Sequence, residues 1–187
     1  MVAEPVALLA PELAQSIRTI PDHPRAGIQF RDVTTLLASA EAFDHALTAL
    51  ADGIAGHVGA VDVVVGIEAR GFIVGAALSD RLNVGFVPMR KPGKLPWHTV
   101  SESYQLEYGV DELHVHRDAI ANQQRVLIAD DLLATGGTAG AAVALIRHLG
   151  ATAVGLAVLV DLPDLGGRAR VEQLDVPVLA CCEFAGD

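Results

Sequence analysis
Lysine is almost absent from this chain. Only two of its 187 residues are lysines, Lys91 and Lys94, and both stand beside Arg90. Positive charge is scarce throughout: the net charge is −10 and the isoelectric point is near 5.0. That balance opposes general nucleic-acid binding, which rests on basic surface. An acidic chain with its lysines in one short stretch is expected to hold an anion there. Cysteine is equally sparse. Cys181 and Cys182 are adjacent, which makes no disulfide framework, and their plain reading is two small buried side chains in a C-terminal strand. Long apolar runs are missing too: mean hydropathy is +0.40, yet Arg147 and His148 break the longest region. No membrane span is expected. The start, MVAEPVALLAPEL, lacks the basic residues of a signal peptide. Together these point to a soluble cytoplasmic protein with no membrane partner. No Gly-Lys-Ser/Thr phosphate loop occurs, which removes the ordinary nucleoside-triphosphatase reading.

What is present centres on Val126–Thr138, VLIADDLLATGGT. Val126–Ala129 reads as a buried strand of a parallel sheet, expected to stop at Asp130 and Asp131. A Thr135-Gly136-Gly137-Thr138 turn follows. Ala139–Leu149 then reads as a helix ended by Gly150. Glycines let successive N–H groups curl around an anion, and a helix N-terminus adds partial positive charge. The acids cannot serve that anion; they suit hydroxyl groups or a metal ion. A ligand carrying both a phosphate and a diol satisfies both halves.

The other segments repeat this strand–turn–helix grammar. Val61–Val65 runs into Gly66-Ile67-Glu68-Ala69-Arg70-Gly71 and a helix over Phe72–Leu82. Further strands are expected at Val84–Met89, Val154–Val160 and Val176–Cys181. Alternating strands and helices imply an α/β fold with a mostly parallel central sheet flanked by helices. The chain reads as a single domain, 1–187. Residues 1–20 show a helical pattern, and about 1–35 are expected to form a small hood over the sheet edge. Trp97–Asp111 reads as a long polar connection, and about 91–111 as a mobile loop, because ordinary connections are far shorter.

Several stretches in consistent order carry a resemblance: Pro21–Asp32 (PDHPRAGIQFRD), Gly66–Phe72 (GIEARGF), Val87–Pro96 (VPMRKPGKLP), Ser103–Gly109 (SYQLEYG), Asp130–Thr138 (DDLLATGGT) and Asp161–Arg168 (DLPDLGGR). The chain resembles the type I phosphoribosyltransferases, and its LLATGG form is that of the adenine-specific members. The resemblance implies that family's fold and its reaction. Adenine and 5-phosphoribosyl-1-diphosphate give AMP and diphosphate, with magnesium held mainly by the substrate and possibly touched by Asp130.

Residue roles follow from the resemblance. Ala134, Thr135, Gly136, Gly137 and Thr138 cradle the 5-phosphate, and Asp130 and Asp131 face the ribose hydroxyls. Glu68, Ala69 and Arg70 form the diphosphate loop, with Arg70 on the leaving group; the family often holds a non-proline cis bond that would fall at Glu68-Ala69, which the sequence itself does not show. Arg90, Lys91 and Lys94 meet diphosphate from the lid side. Glu107 is the general acid/base, in a moving segment with Tyr108. Phe30 stacks on the base, Leu162 covers its other face, and the main chain at Gln29 and Arg31 reads the 6-amino edge. A homodimer is implied, with Arg70 and the lid near the contact. His23 stands where an aromatic is common and Trp97 where a small residue is. Taken singly, several residues have plainer readings: Glu107 as a solvated side chain, Phe30 as a core anchor, and Tyr104 and Tyr108 as packing groups.

Two other functions are compatible with parts of the pattern. One is transfer to another base, a 6-oxopurine, xanthine or orotate. The lysine that 6-oxopurine enzymes carry late in the chain has no counterpart after Lys94. The other is a non-catalytic sensor of phosphoribosyl diphosphate acting on nucleic acid, which calls for a basic face that this composition does not supply.

Overall fold
A computed structural model describes residues 7–106 and 109–186. Pro11–Ser16 is a 3-10 helix, followed by an antiparallel pair, β1 (Arg18–Ile20) and β2 (Phe30–Asp32). These elements are the hood. Among the described residues 7–20, the helical pattern expected over 1–20 yields one short 3-10 segment and a strand. Apolar spacing there serves burial of Leu13 and Ile17 against the sheet, not a full helix. Helices α1 (Thr34–Ala38) and α2 (Ala40–His57) come next. Ser39 caps α2 by accepting a bond from the Ala42 amide at 3.2 Å, as serine commonly does.

Strand β3 (Val63–Ile67), helix α3 (Gly71–Leu82) and strand β4 (Gly85–Met89) make the first parallel unit. Then β5 (Thr99–Leu106) and β6 (Gly109–His116) pair antiparallel as a separate two-stranded sheet. The chain returns through β7 (Arg125–Leu133), α4 (Gly137–His148) and β8 (Thr152–Asp161). It finishes with a 3-10 turn (Pro163–Leu165), α5 (Gly167–Glu172) and β9 (Val178–Glu183). The main sheet has the order β4-β3-β7-β8-β9, with every neighbouring pair parallel. The expected fold class is what forms.

Side chains that alternate along a strand build two cores. Val63, Val65, Val126, Ile128, Leu156 and Val158 face α4, α5 and the β5–β6 hairpin. Val64, Leu127, Ala129, Ala157 and Leu179 face α2, α3 and the hood. Cys181 and Cys182 are buried and free in β9, with both thiols pushed up to about 12 by desolvation first. Among the described residues no helix is long and apolar enough to cross a membrane.

Two expectations about the chain's organisation change. Strand β7 does not stop at its acids. It continues to Leu133 because β8 keeps pairing with it, Asp130 opposite Val158 and Leu132 opposite Val160. The stretch read as a polar connection, Trp97–Asp111, is largely the β5–β6 hairpin. Ser101, Glu102 and Ser103 are exposed, while Tyr104, Leu113 and Val115 are buried in the first core. An isolated bridge between Arg90 and His114 ties its second strand to the end of β4. The root of this segment is therefore fixed structure. Leu113 is fully buried. Leu113→Ala should lower unfolding free energy by about 2–5 kcal/mol in urea titrations; a loss near zero would mean that the hairpin root is free of the core.

Candidate active site
The strand order reverses direction between β3 and β7: the chain leaves β3 toward β4 on one side and leaves β7 toward β8 and β9 on the other. Ligands of open α/β sheets bind at the carboxyl end of such a switch point. Two loops meet there, Glu68–Arg70 after β3 and Ala134–Gly136 after β7. The second loop makes a pocket walled by Asp130 and Leu132–Ala139 and closed by Leu156 and Val158. No side chain caps α4, so the amides of its first turn are left for a ligand in that pocket.

This phosphate loop is buttressed from behind. Gly136 has φ +75°, a conformation that disfavours side chains. A Cβ on Gly167 would stand 2.0 Å from the Ala134 carbonyl oxygen and 2.9 Å from the Gly136 amide nitrogen. The Gly166-Gly167 turn, to which sequence reasoning gave no role of its own, thus sets the position of the loop. A double glycine opening a short helix was the visible signal.

The first loop carries a cis peptide at Glu68-Ala69, a point the sequence left open. Gly71, its exit, lies so close to β7 that a Cβ would be 2.8 Å from both the Ala129 carbonyl and Asp130 Oδ1. That approach brings Arg70 onto the acid pair. Arg70 Nε donates to Asp131 Oδ2 at 2.5 Å, with the Arg70 side chain half exposed and the Asp131 side chain buried. Asp130 lines the pocket and accepts the Asp131 amide at 2.9 Å. Burial, then the Asp131 charge, raises the Asp130 pKa well above the usual carboxylate range.

Glu68 collects the other cations. It accepts from Lys94 Nζ at 2.7 Å, from the Lys91 amide at 2.9 Å and from Arg90 Nε at 3.2 Å. Burial alone would raise its pKa, but these donors prevail and hold it at about 2. The guanidinium of Arg90 also lies over the Phe72 ring, 5.7 Å from its centroid. Lys91, expected on diphosphate, sends its ammonium elsewhere: it donates to Tyr104 Oη at 2.5 Å and to Asp111. Tyr104 and Asp111 face each other near the Leu106–Gly109 end of the hairpin, so Lys91 ties down its far part, a role that their polar surroundings in the sequence concealed. Glu107 and Tyr108 lie outside the described residues.

The base-side residues sit on the hood and beyond β8. Phe30 is half-buried in β2, with the His23 ring edge-on at 5.1 Å, so histidine keeps the aromatic contact where another ring was expected. Arg31 follows in β2 and Gln29 precedes it. Leu162 leaves β8 with its amide bonded to the Leu133 carbonyl at 3.0 Å.

The phosphoribosyl transferase domain family matches residues 33–180 of this sequence. The chain belongs to that family. The adenine phosphoribosyltransferase of Bradyrhizobium sp. is 54% identical over 175 residues, 94% of this chain and 97% of that protein. That of Brucella ovis is also 54% identical, over 94% of this chain and 96% of its own length. Among solved structures, adenine phosphoribosyltransferase from Thermoanaerobacter pseudethanolicus superposes with a TM-score of 0.87 at 44% identity, covering 92% of this chain and 98% of that one. The Saccharomyces cerevisiae protein, complexed with an imino-altritol bisphosphate and adenine, gives 0.85 at 34% identity, covering 91% and 96%. For a phosphoribosyl transferase, the switch-point pocket is where phosphate and ribose chemistry should lie.

Gly167→Ala should cost about 1–3 kcal/mol of stability and raise the KM for phosphoribosyl diphosphate more than that for the acceptor base. Equal effects on both substrates would count against a loop-specific role. The Glu68 network should also show in acid. Its pKa is depressed in the folded state, so its stabilisation is present above the ordinary value of 4.5 and fades as pH falls toward about 2. Melting curves of wild type and Glu68→Gln should differ at pH 6 and converge through that window; a constant gap would remove Glu68 as the cause.

Proposed function
We propose that this chain transfers the phosphoribosyl group of 5-phosphoribosyl-1-diphosphate to adenine, releasing diphosphate and forming AMP in purine salvage. The observation that carries the reading is the meeting of the Glu68–Arg70 turn with the Asp130–Thr138 loop at one sheet edge, in a chain 54% identical to adenine phosphoribosyltransferases. Ala134, Thr135, Gly136, Gly137 and Thr138 hold the 5-phosphate through amides and hydroxyls. Asp130 and Asp131 accept hydrogen bonds from the ribose hydroxyls and favour positive charge on the ring. The C1–oxygen bond breaks with its electron pair leaving on diphosphate, and a ring nitrogen of adenine forms the new bond to C1. Arg70 takes the departing charge, with backbone N–H groups of the Glu68–Ala69–Arg70 turn beside it and Arg90, Lys91 and Lys94 from the lid side. The proton on the attacking nitrogen passes to a base, the role we give Glu107, with Tyr108 closing the segment over the site. Phe30 and Leu162 sandwich the base, and the main chain at Gln29 and Arg31 reads its amino edge.

Magnesium fits this pocket as a hydrated ion carried on substrate oxygens, where it neutralises diphosphate. Among the described residues no cluster of three His, Cys, Asp or Glu is placed to cage an ion. Asp130 is the carboxylate in position, and a nearby cation offsets both the burial and the Asp131 charge that raise its pKa. We read the chain as one catalytic domain, 1–187, with the hood over about 1–35 and the catalytic segment within 91–111. It works as a cytoplasmic homodimer with no nucleic-acid or membrane partner. The net charge of −10 and the exposed Ile73, one turn beyond Arg70 on α3, support that picture.

Turnover should be measured with labelled adenine, hypoxanthine, guanine, xanthine and orotate, with and without magnesium, on wild type and Glu107→Gln. Magnesium-dependent AMP formation from adenine, much reduced in Glu107→Gln at unchanged phosphoribosyl-diphosphate affinity, is expected. Product from another base alone would refute the assignment, and full turnover by Glu107→Gln would remove that residue from the chemistry.

A further inference from the structure
The segment Phe184–Gly186 follows β9 and belongs to none of the site's loops, yet it is bonded to both sides of the base site. On one side its Phe184 amide donates to the Asp161 carbonyl at 3.1 Å, one residue before Leu162. Its Gly186 amide donates to Asp164 Oδ2 at 2.6 Å, two residues after Leu162. Leu162 is thus bracketed, and Leu162 and Phe184 pack partly buried against the same core. On the other side stands the Arg31 side chain. Its guanidinium carbon lies over the Phe184 ring, 4.4 Å from the centroid. One terminal nitrogen donates to the Gly186 carbonyl at 3.1 Å and the other to Thr19 Oγ1 on β1 at 2.7 Å. Arg31 Nε is buried with no hydrogen-bond partner among the described residues, so the ring face is its principal contact there.

The hood that carries Arg31 is otherwise a small unit. Strands β1 and β2 pair over three residues and form a sheet of their own. A short two-stranded hairpin is marginal alone, so its position depends on what it is tied to. Within the hood, Arg18 and Asp32 pair at 2.7 Å, and Asp32 Oδ1 accepts the Thr34 amide and hydroxyl. Those bonds stiffen the hood internally and brace it to α1. They do not reach Leu162. The Arg31–Phe184 contact does join the two jaws.

We infer that Arg31 and Phe184 form a latch that fixes the spacing between the base-reading strand β2 and Leu162, and so are positioning residues for the acceptor base. This rests on the reading of the chain as an adenine phosphoribosyltransferase. The latch acts first on the base, because the hydrogen bonds and ring contact of Arg31 and Phe184 go to Thr19, Gly186, Asp161 and each other, not to polar groups of Asp130–Thr138 or Glu68–Arg70. Arg31 therefore has a side-chain role separate from the main-chain contact expected of it.

The test is initial-rate kinetics on wild type, Arg31→Ala, Phe184→Leu and the double variant, varying each substrate in turn. Phe184→Leu keeps apolar bulk against the core while removing the ring face, so it reads the latch even where Phe184→Ala would unfold. The adenine KM should rise about tenfold in each single variant, with the KM for phosphoribosyl diphosphate held within about twofold. The double variant should be no worse than either single one, since both remove the same contact. Arg31→Lys, which keeps charge over the ring, should recover part of the loss. An adenine KM unmoved by Phe184→Leu, or equal rises for both substrates together with a lowered Tm, overturns the latch. Wild type separates the two assignments. If it leaves adenine unused, the reaction assignment and the latch both fall; if it uses adenine and the variants show no split, the latch alone falls.

Discussion
The parallel pairing of Val63–Gly66 with Val126–Ala129 is the constraint from which the site follows. It puts two strands that lead to opposite halves of the sheet side by side, so the turns leaving them share one edge. Everything charged in the centre of the molecule then gathers there. Arg70 reaches Asp131 because α3 begins at a glycine pressed against β7, and Asp130 faces the phosphate loop because β7 runs on beyond its acids. A guanidinium on Asp131 offsets part of the cost of burying two adjacent carboxylates, and burial beside that charge raises the pKa of Asp130.

The apolar architecture explains why this edge can hold charged loops at all. Two cores, one on each face of the sheet, bury β3, β7, β8 and β9 almost completely. The loops are appendages to elements that cannot move relative to one another. The hairpin follows the same logic at a smaller scale: Leu113 and Val115 bury its second strand, Tyr104 its first, and Lys91 bound to Tyr104 and Asp111 holds it toward the Leu106–Gly109 end. The hood is the exception, a marginal pair of strands that relies on Arg31 and Arg18 for its position.

Much of this was legible in the residues. Val126–Ala129 and Val63–Val65 announced buried strands because nothing polar interrupts them, and DDLLATGGT announced a phosphate loop because acids, glycines and a helix start fall in that order. What the sequence hid was pairing. Lys91 looks like a free cation until the fold brings Asp111 beside it, and Glu68 looks like a loop residue until it collects three donors. The β5–β6 hairpin was hidden because its outward residues are polar and its inward ones are spread over two strands. Arg31 and Phe184 are 153 positions apart, so no local pattern could join them.

The cations around the site already have carboxylate partners: Arg70 has Asp131, Arg90 and Lys94 have Glu68, and Lys91 has Asp111. A polyanion arriving at a molecule of net charge −10 meets long-range repulsion and no unclaimed positive patch of these four residues. Under the proposed function it would bind by swapping partners, as on a loaded ion-exchange resin. Each phosphate oxygen that took a guanidinium or ammonium would set a carboxylate loose, and the carboxylate freed at Asp131 would be an acceptor ready for sugar hydroxyls. Capture of one end of the substrate would thereby prepare the grip on the other.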